Sequence, residues 1–188
     1  MTKPAGRPKN IAPRLTAESI IARAAALLEA QGLESFSIRS LAAQLGVTPM
    51  SVLHHVKSLK ALERMMAEQT YNAIELEVNN ADPAERVITL LERYYKTSSS
   101  HPHLVRMIFS RPEPLVSRLA ALNEKLQADL ATLGLSPLQV GRCHNLLIDY
   151  THGHLLALAT GPLDCEQSDD TNLCGYLGNL RTILDAFM

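Results

Sequence analysis

Residues 41–56 read LAAQLGVTPMSVLHHV and contain two short helical patterns separated by a glycine. The first pattern ends at Gly46, and the second starts behind Thr48, a good N-cap, with Pro49 at the first helical position. Glycine readily adopts the left-handed backbone that a sharp turn requires. The stretch therefore predicts a helix-turn-helix. Its expected core residues are Leu41, Leu45, Val52 and Val56.

Helix starts recur along the rest of the chain, and strand patterns are nearly absent. Hydroxyl or acidic N-caps precede apolar residues at helical spacing, and we expect an all-α protein with about nine helices. The fourth helix is expected to run from Ser58 through Leu76 to a break at Asn79 and Asn80. We place a domain boundary inside this helix, which divides the chain into 1–60 and 61–188. The other predicted helices cover about 17–31, 38–45, 49–56, 83–100, 103–110, 115–133, 137–160 and 171–187.

Composition predicts a cytoplasmic protein with a hydrophobic core. The 188 residues are 46% hydrophobic and 20% charged, which suits one or two small domains. Three cysteines without a C-x-x-C pair indicate a reducing compartment. No secretory leader is recognisable, and the most apolar stretch, 146–159, is too short and too polar to span a membrane.

The charges are unevenly distributed along the chain. Residues 1–60 contain eight Lys or Arg and three acidic residues, a balance of +5. Residues 61–188 contain ten and sixteen, a balance of −6. A basic N-terminal part is typical of proteins that bind nucleic acid.

The outward face of the third helix is the candidate DNA-binding surface, because a helix of this size fits the major groove. Arg39 on the second helix is placed to reach a phosphate or a guanine edge, and Lys57 and Lys60 to contact phosphates. A solvated surface in an ordinary bundle is the alternative, and the charge asymmetry favours DNA. The predicted face consists of Thr48, Pro49, Met50, Ser51, His54, His55 and Lys57.

Residues 15–66 resemble the N-terminal domain of the TetR family of bacterial transcriptional regulators. The resemblance lies in a capped first helix, Gly-Leu-x-x-Phe-Ser-Ile-Arg, Leu-Ala-x-x-Leu-Gly-Val, and a helix running into His-Val-Lys. It implies a regulator with an all-helical, ligand-binding and dimerising C-terminal domain. It also implies that His55 approaches the DNA backbone while His54 occupies a variable, base-reading position.

The chain departs from the family pattern at two positions. Leu53 stands where the family usually has a tyrosine whose hydroxyl contacts a phosphate. Leu59 stands where a lysine is common, and Lys60 follows one position later. These contacts are therefore expected to shift or to be lost.

The N-terminal segment Ala5-Gly6-Arg7-Pro8-Lys9 resembles arms that enter narrow, A·T-rich minor grooves. In that interpretation, Arg7 and Lys9 contact DNA. A disordered basic leader is the alternative.

Nothing in the sequence supports catalysis, a metal or a cofactor. There is no glycine-rich phosphate loop and no nucleophile motif, and no two histidines stand four residues apart as a zinc-binding helix requires. An apolar helical body favours a cavity for an unknown small-molecule effector instead. Candidate polar groups in that cavity are Arg106, Arg142, His144, Asp149 and Tyr150.

Two leucine-rich stripes on the last helices predict a homodimer interface, although a core within the chain explains them equally well. The stripes contain Leu146, Leu147, Leu155, Leu158, Leu173, Leu177, Leu180 and Leu184. We expect a repressor that binds a palindromic DNA operator as a dimer and is released by its effector. A DNA-binding architectural protein without an effector is the alternative, followed by a helical enzyme.

Overall fold

The computed structural model describes residues 15–110, 116–160 and 169–188, and over these ranges the predicted all-α class is confirmed. The described residues form nine α-helices and one short 3-10 helix, with no strand. The helices are α1 (Ala17–Gln31), α2 (Ile38–Leu45), α3 (Pro49–Val56), α4 (Leu59–Tyr71), α5 (Pro83–Ser99), α6 (Pro102–Ser110), α7 (Ser117–Ala131), α8 (Pro137–Thr160) and α9 (Asp169–Asp185), and the 3-10 helix is Leu33–Ser35. In this part of the chain, no helix is both long and apolar enough to cross a membrane.

Local hydrogen bonds define where each of the first helices begins. The Thr16 hydroxyl accepts from the Ser19 amide at 3.2 Å, and the Ser19 hydroxyl accepts from the Thr16 amide at 3.0 Å. Ser37 and Ser40 form the same reciprocal cap at the start of α2. These caps satisfy amides that the first turn of a helix leaves without partners.

The predicted turn lies between α2 and α3. Gly46 has φ 68° and ψ 29°, the left-handed conformation that an L side chain disfavours. Its amide donates to the carbonyls of Ala42 and Ala43, which ends α2. Thr48 then caps α3, and Pro49 occupies the first helical position. Leu41, Val52 and Val56 are fully buried, as predicted, and Leu45 packs against them.

The fourth helix ends earlier than predicted. It stops at Tyr71, and the chain then runs without helical structure from 74 to 80. Two arginines hold this segment: Arg93 donates to the Glu75 and Glu77 carbonyls, and Arg118 donates to the Ile74 carbonyl at 2.7 Å. Side-chain donors from distant helices therefore take the carbonyls that a longer helix would have bonded internally.

Two hydrophobic clusters form the core. The first contains buried side chains of α1 to α4 together with Leu104 and Met107 of α6, and we call the part of the chain from α1 to α3 the head. The second is built from α4 to α9, and we call α5 to α9 the body. Helix α4 contributes to both clusters, with Leu62 and Met66 in the first and Ala67 and Tyr71 in the second.

Long-range polar contacts hold the body helices together. Arg86 of α5 donates to the Asp129 carboxylate of α7 at 2.9 Å, and both side chains are largely buried. Asp82 caps α5 by accepting from the Ala84 amide. Glu85, in the first turn of α5, pairs with Arg181 of α9 at 3.1 Å.

Candidate nucleic-acid interface and effector site

The third helix has one buried face and one exposed face. Val52 and Val56 point inward and are 0% exposed. Met50, in the first turn of the helix, is 71% exposed, and His54 and Lys57 are exposed as well. The helix thus presents a surface that no described part of the chain covers.

The hydroxyl groups at the start of α3 serve the helix cap. Thr48 Oγ1 accepts from the Ser51 amide at 3.2 Å and lies 2.9 Å from Ser51 Oγ. Pro49 has no amide proton to offer. The first turn of α3 therefore projects Met50 as its longest outward side chain.

The two histidines of α3 differ in exposure. His54 is exposed and His55 is half-buried, with their rings edge to face at 5.5 Å. Leu53, at the position where a tyrosine was expected from the resemblance, is half-buried. Within the described ranges, no three His, Cys, Asp or Glu side chains are grouped closely enough to hold a metal ion.

Three predicted cationic contacts lie on the surface of the head or beside it. Arg39 on α2, Lys57 at the end of α3 and Lys60 on α4 are all exposed. Lys57 has φ 66°, and its amide donates to the Leu53 carbonyl, so the helix ends at that residue. Arg7 and Lys9 of the predicted arm lie outside the described residues.

Comparison with known proteins identifies the fold. No family model matches the chain, and no curated protein is detectably similar in sequence. BioQ of Mycobacterium smegmatis superposes with a TM-score of 0.73 at 18% identity, covering 92% of this chain and 98% of BioQ. BioQ with its natural double-stranded DNA operator gives 0.71 at 18% identity, with 93% and 98% covered. A TetR variant from Acinetobacter baumannii AYE in complex with minocycline gives 0.72 at 19% identity, with 93% and 97% covered.

The chain has the TetR-family fold. The resemblance seen in residues 15–66 is therefore confirmed for the architecture, and it extends over the helical body. Identities below 20% show a shared fold, and the function is inferred below from this chain's own residues.

Within this TetR-family fold, the five predicted effector residues do not converge on one site. Arg142 and Asp149 of α8 are exposed, and Arg106 of α6 is half-buried. The Tyr150 hydroxyl accepts from the Asn179 side chain of α9 at 2.9 Å, on an exposed surface. His144 is the exception, since its Nε2 lies 3.1 Å from the Asn123 side chain beside a cavity.

That cavity lies between α5, α7 and α8, and its volume is about 40 Å³, enough for no more than a few water molecules. Sequence reasoning missed most of its lining, because the side chains come from three helices that are distant in sequence. The lining residues are Tyr94, Leu119, Leu122, Asn123, Ile148 and His152.

His152 is the ionisable imidazole of the cavity wall. Its ring contacts Phe109 at 4.7 Å and Tyr94 at 6.0 Å between centroids. Burial lowers the pKa of His152, and the Asp149 carboxylate offsets part of that effect. The neutral imidazole is therefore favoured, and the wall carries no charged side chain among the residues named above.

An aromatic column stands next to the cavity, between α5, α8 and α9. Tyr176 stacks on Tyr95 at 4.2 Å and on Tyr150 at 5.8 Å, and the His154 ring lies 5.5 Å from Tyr176. The Tyr176 hydroxyl is 2.9 Å from Thr151 Oγ1 and donates to the Leu91 carbonyl at 3.4 Å. Burial raises the pKa of Tyr176, so this hydroxyl stays protonated and able to donate.

The head and the body meet at the start of α6. The Glu29 carboxylate of α1 accepts from the amides of His103 and Leu104, at 3.2 and 3.0 Å. The His103 ring packs against Gly32, at the end of α1. A side chain of the head therefore caps a helix of the body.

A groove of about 450 Å³ lies beside this junction, between α1, α4 and α5. Its polar side chains are hydroxyls, one amide and one imidazole, over an apolar floor. The lining residues are Ile21, Ala25, Met66, Gln69, Thr70, Ala73, Thr97, Ser100 and His101.

The leucine stripes of α8 and α9 require a correction. Four predicted interface residues, Leu147, Leu155, Leu180 and Leu184, are at most 2% exposed and fill the core of the chain itself. Leu173 and Leu177 are partly buried against that core. Leu146 and Leu158 remain on the surface, at 51% and 40% exposure. A leucine on each side of a helix satisfies the same letter pattern, so sequence could not separate the two faces.

Proposed function

We propose that this protein is a transcriptional regulator that inserts α3 into the DNA major groove. The observation that carries the proposal is the division of α3 into a buried valine face and an exposed face bearing Met50, His54 and Lys57. The basic balance of residues 1–60 supports it, because binding to the phosphate backbone needs positive charge. The fold shared with BioQ, which has been solved with its DNA operator, supports it further.

A homodimer is part of the proposal. The outward faces of α8 and α9 carry Leu146 and Leu158 together with Gly175 and Gly178, around which there is open space. Small side chains allow two helices to approach closely, and the exposed leucines supply apolar area. A two-fold pair would present two copies of α3 to half-sites about 34 Å apart on one face of the duplex.

The effector part of the proposal rests on the cavity beside His152. We infer that a small uncharged molecule enlarges this cavity and displaces α6, because Phe109 of α6 contacts the His152 ring. The Glu29 cap then passes the displacement to α1. A coupling free energy of about 1–3 kcal/mol is enough to weaken operator binding by roughly 5–150-fold, which makes the protein a repressor released by its ligand.

Selection from a random duplex pool tests the DNA-binding proposal. The full-length protein is incubated with 30-base-pair random duplexes, and the bound fraction is amplified and sequenced through several rounds. We expect a short palindrome, whose affinity is then measured by fluorescence anisotropy. A Met50→Ala/His54→Ala/Lys57→Ala variant should enrich nothing. A Glu124→Ala/Gln127→Ala variant, changed at two exposed residues of α7, should enrich the same palindrome.

Single variants separate base reading from phosphate contact. We expect His54→Ala to change which bases are preferred, whereas Lys57→Ala weakens all duplexes alike and lowers the salt slope by about one per protomer. Equal, sequence-blind losses from both variants would remove the base-reading role from His54. Enrichment of no sequence by the wild-type protein would overturn the proposed function as a whole.

The proposed effector response is tested by measuring the melting temperature and the operator affinity of the same purified protein with small molecules. We expect that a small molecule which raises the melting temperature also weakens operator binding. His152→Leu should remove both effects while preserving operator binding in the absence of the molecule. A molecule that stabilises the protein through this cavity and leaves operator affinity unchanged would contradict the release mechanism.

A further inference from the structure

We propose that Met50 reads the C5-methyl group of a thymine in each operator half-site. The inference rests on the proposed function, since it names the base chemistry that the outward face of α3 recognises. It assigns an apolar contact to a position where hydrogen bonding would otherwise be expected.

Exposure draws attention to Met50. Its side chain is 71% exposed, the highest value among the large exposed hydrophobic residues in the described part of the chain. A single exposed apolar side chain is common in soluble proteins. Here its place matters more, because it lies in the first turn of α3, on the face of that helix that is exposed to solvent.

The polar neighbours of Met50 are short side chains that bond to one another. The hydroxyls of Thr48 and Ser51 lie 2.9 Å apart, and Thr48 Oγ1 also accepts the Ser51 amide. Thr48 thus caps α3, the Ser51 hydroxyl pairs with the Thr48 hydroxyl, and Pro49 has no amide proton. Because these two hydroxyls pair with each other close to the backbone, the thioether of Met50 reaches furthest from this turn and is the group we expect to meet a base edge.

One feature of the major groove matches that thioether. Thymine presents a methyl group there, and none of the other three bases does. Methionine has a flexible, polarizable side chain that packs well on irregular apolar surfaces. A thymine at the contacted position is therefore favoured over cytosine, which lacks the methyl group.

Helix geometry links this thymine to the base contacted by His54. Met50 and His54 are four residues apart on one face of α3, which separates them by about 6 Å along the helix axis. Successive base pairs are about 3.4 Å apart. We therefore expect the thymine within about two base-pair steps of the base that His54 selects.

Removal of single methyl groups tests the inference. In the palindrome enriched by the wild-type protein, each symmetric pair of thymines is replaced in turn by deoxyuridine, which pairs identically but lacks the methyl group. For one pair we expect wild-type affinity to fall about fourfold per half-site and about fifteenfold in total, the effect of exposing one methyl group twice. Met50→Ala should bind the unmodified duplex more weakly and show no further loss on this replacement.

Two controls isolate the methyl contact. Lys57→Ala should bind more weakly throughout yet keep the full sensitivity to deoxyuridine, because its contact is with phosphate. When the sensitive thymine–adenine pair is replaced by cytosine–guanine, methylation of that cytosine at C5 should recover affinity for the wild-type protein and not for Met50→Ala. Met50 is exposed, so Met50→Ala should melt at the wild-type temperature and keep the wild-type salt slope.

The outcomes separate this inference from the proposed function. If a palindrome is enriched but no thymine pair is methyl-sensitive, or Met50→Ala keeps the wild-type sensitivity, Met50 does not read a methyl group and the inference is wrong. If no sequence is enriched at all, the proposed function fails and the inference fails with it.

Discussion

The contacts that stabilise the head differ in kind from those that stabilise the body. In the head, the hydroxyl at each N-cap accepts from the backbone amide three residues later. The pairs are Thr16–Ser19, Ser37–Ser40 and Thr48–Ser51. In the body, polar contacts join distant segments: Arg86 meets Asp129, 43 residues away, and Tyr176 meets the Leu91 carbonyl, 85 residues away. Local contacts fix a surface that stays the same when other parts move. Long-range contacts make each body helix depend on the others, which suits the ligand response proposed above.

The ion pair between Arg86 and Asp129 offers the largest test of this difference. Asp129→Ala leaves the largely buried Arg86 charge without its carboxylate, and we expect a loss of about 3 kcal/mol in the free energy of unfolding. Urea unfolding followed by circular dichroism measures it. An Arg86→Met/Asp129→Leu double variant removes both charges and should recover most of the stability. A loss below 0.5 kcal/mol, on the order of a surface pair, would contradict the role given to this contact.

The Tyr176 hydroxyl provides a smaller test in the same region. Tyr176→Phe keeps the stacked ring but removes the hydroxyl that contacts Thr151 and the Leu91 carbonyl, and we expect a loss of about 1.5 kcal/mol. Tyr150→Phe is the matched control, because its hydroxyl contacts Asn179 on an exposed surface. The control should change stability much less. Equal effects would show that burial of the Tyr176 hydroxyl carries no special weight.

The turn at Gly46 tests the local side of the comparison. No atom lies within 4 Å of a Cβ added at Gly46, so Gly46→Ala creates no clash and only strains the left-handed backbone. We expect a loss of about 1 kcal/mol, and a smaller one for Gly46→Asn, which tolerates this conformation better. Hydrogen exchange should show the change in α2 and α3 while α7 to α9 keep wild-type protection. Loosening of the body by Gly46→Ala would show that the head is less independent than its caps indicate.

The smallest expected effect is the pH dependence of stability that His152 contributes. Burial lowers the pKa of His152 in the folded state, so below the ordinary value of 6.5 the unfolded chain binds the proton more readily than the folded one. The contribution of His152 to the unfolding free energy therefore falls as the pH drops below about 6.5. Above that value the imidazole is neutral in both states, and its contribution is constant. Between pH 7.5 and 5, the unfolding free energy of wild type should fall more steeply than that of His152→Leu. Parallel curves for the two proteins would exclude this contribution.

The same difference decides how much the sequence predicted. The starts of α1, α2 and α3 and the turn at Gly46 follow from residues within four positions of one another, and all were predicted. The end of α4 at Tyr71 depends on Arg93 and Arg118, which bond the following carbonyls from other helices. No pattern near residue 71 records those partners.

The cavity proposed as the effector site was the least predictable feature for the same physical reason. The predicted residues were polar groups on α6 and α8, chosen without knowledge of which side of the helix faces inward. The cavity instead combines Tyr94 of α5, Asn123 of α7 and His152 of α8. Only the packing of three helices brings these residues together, and helical periodicity along one segment carries no information about it.

The cap that Glu29 places on α6 has a consequence for protein engineering. Regulators with exchangeable parts are attractive for synthetic gene circuits, and a cut near residue 60 looks natural from the sequence. Such a chimera would separate the Glu29 carboxylate from the His103 and Leu104 amides that it now bonds. A transplanted head therefore needs a recipient whose sixth helix starts at the same place with two free amides, or a replacement of Glu29 by a neutral side chain. Without that match, we expect the graft to lose the contact that couples its head to the new body.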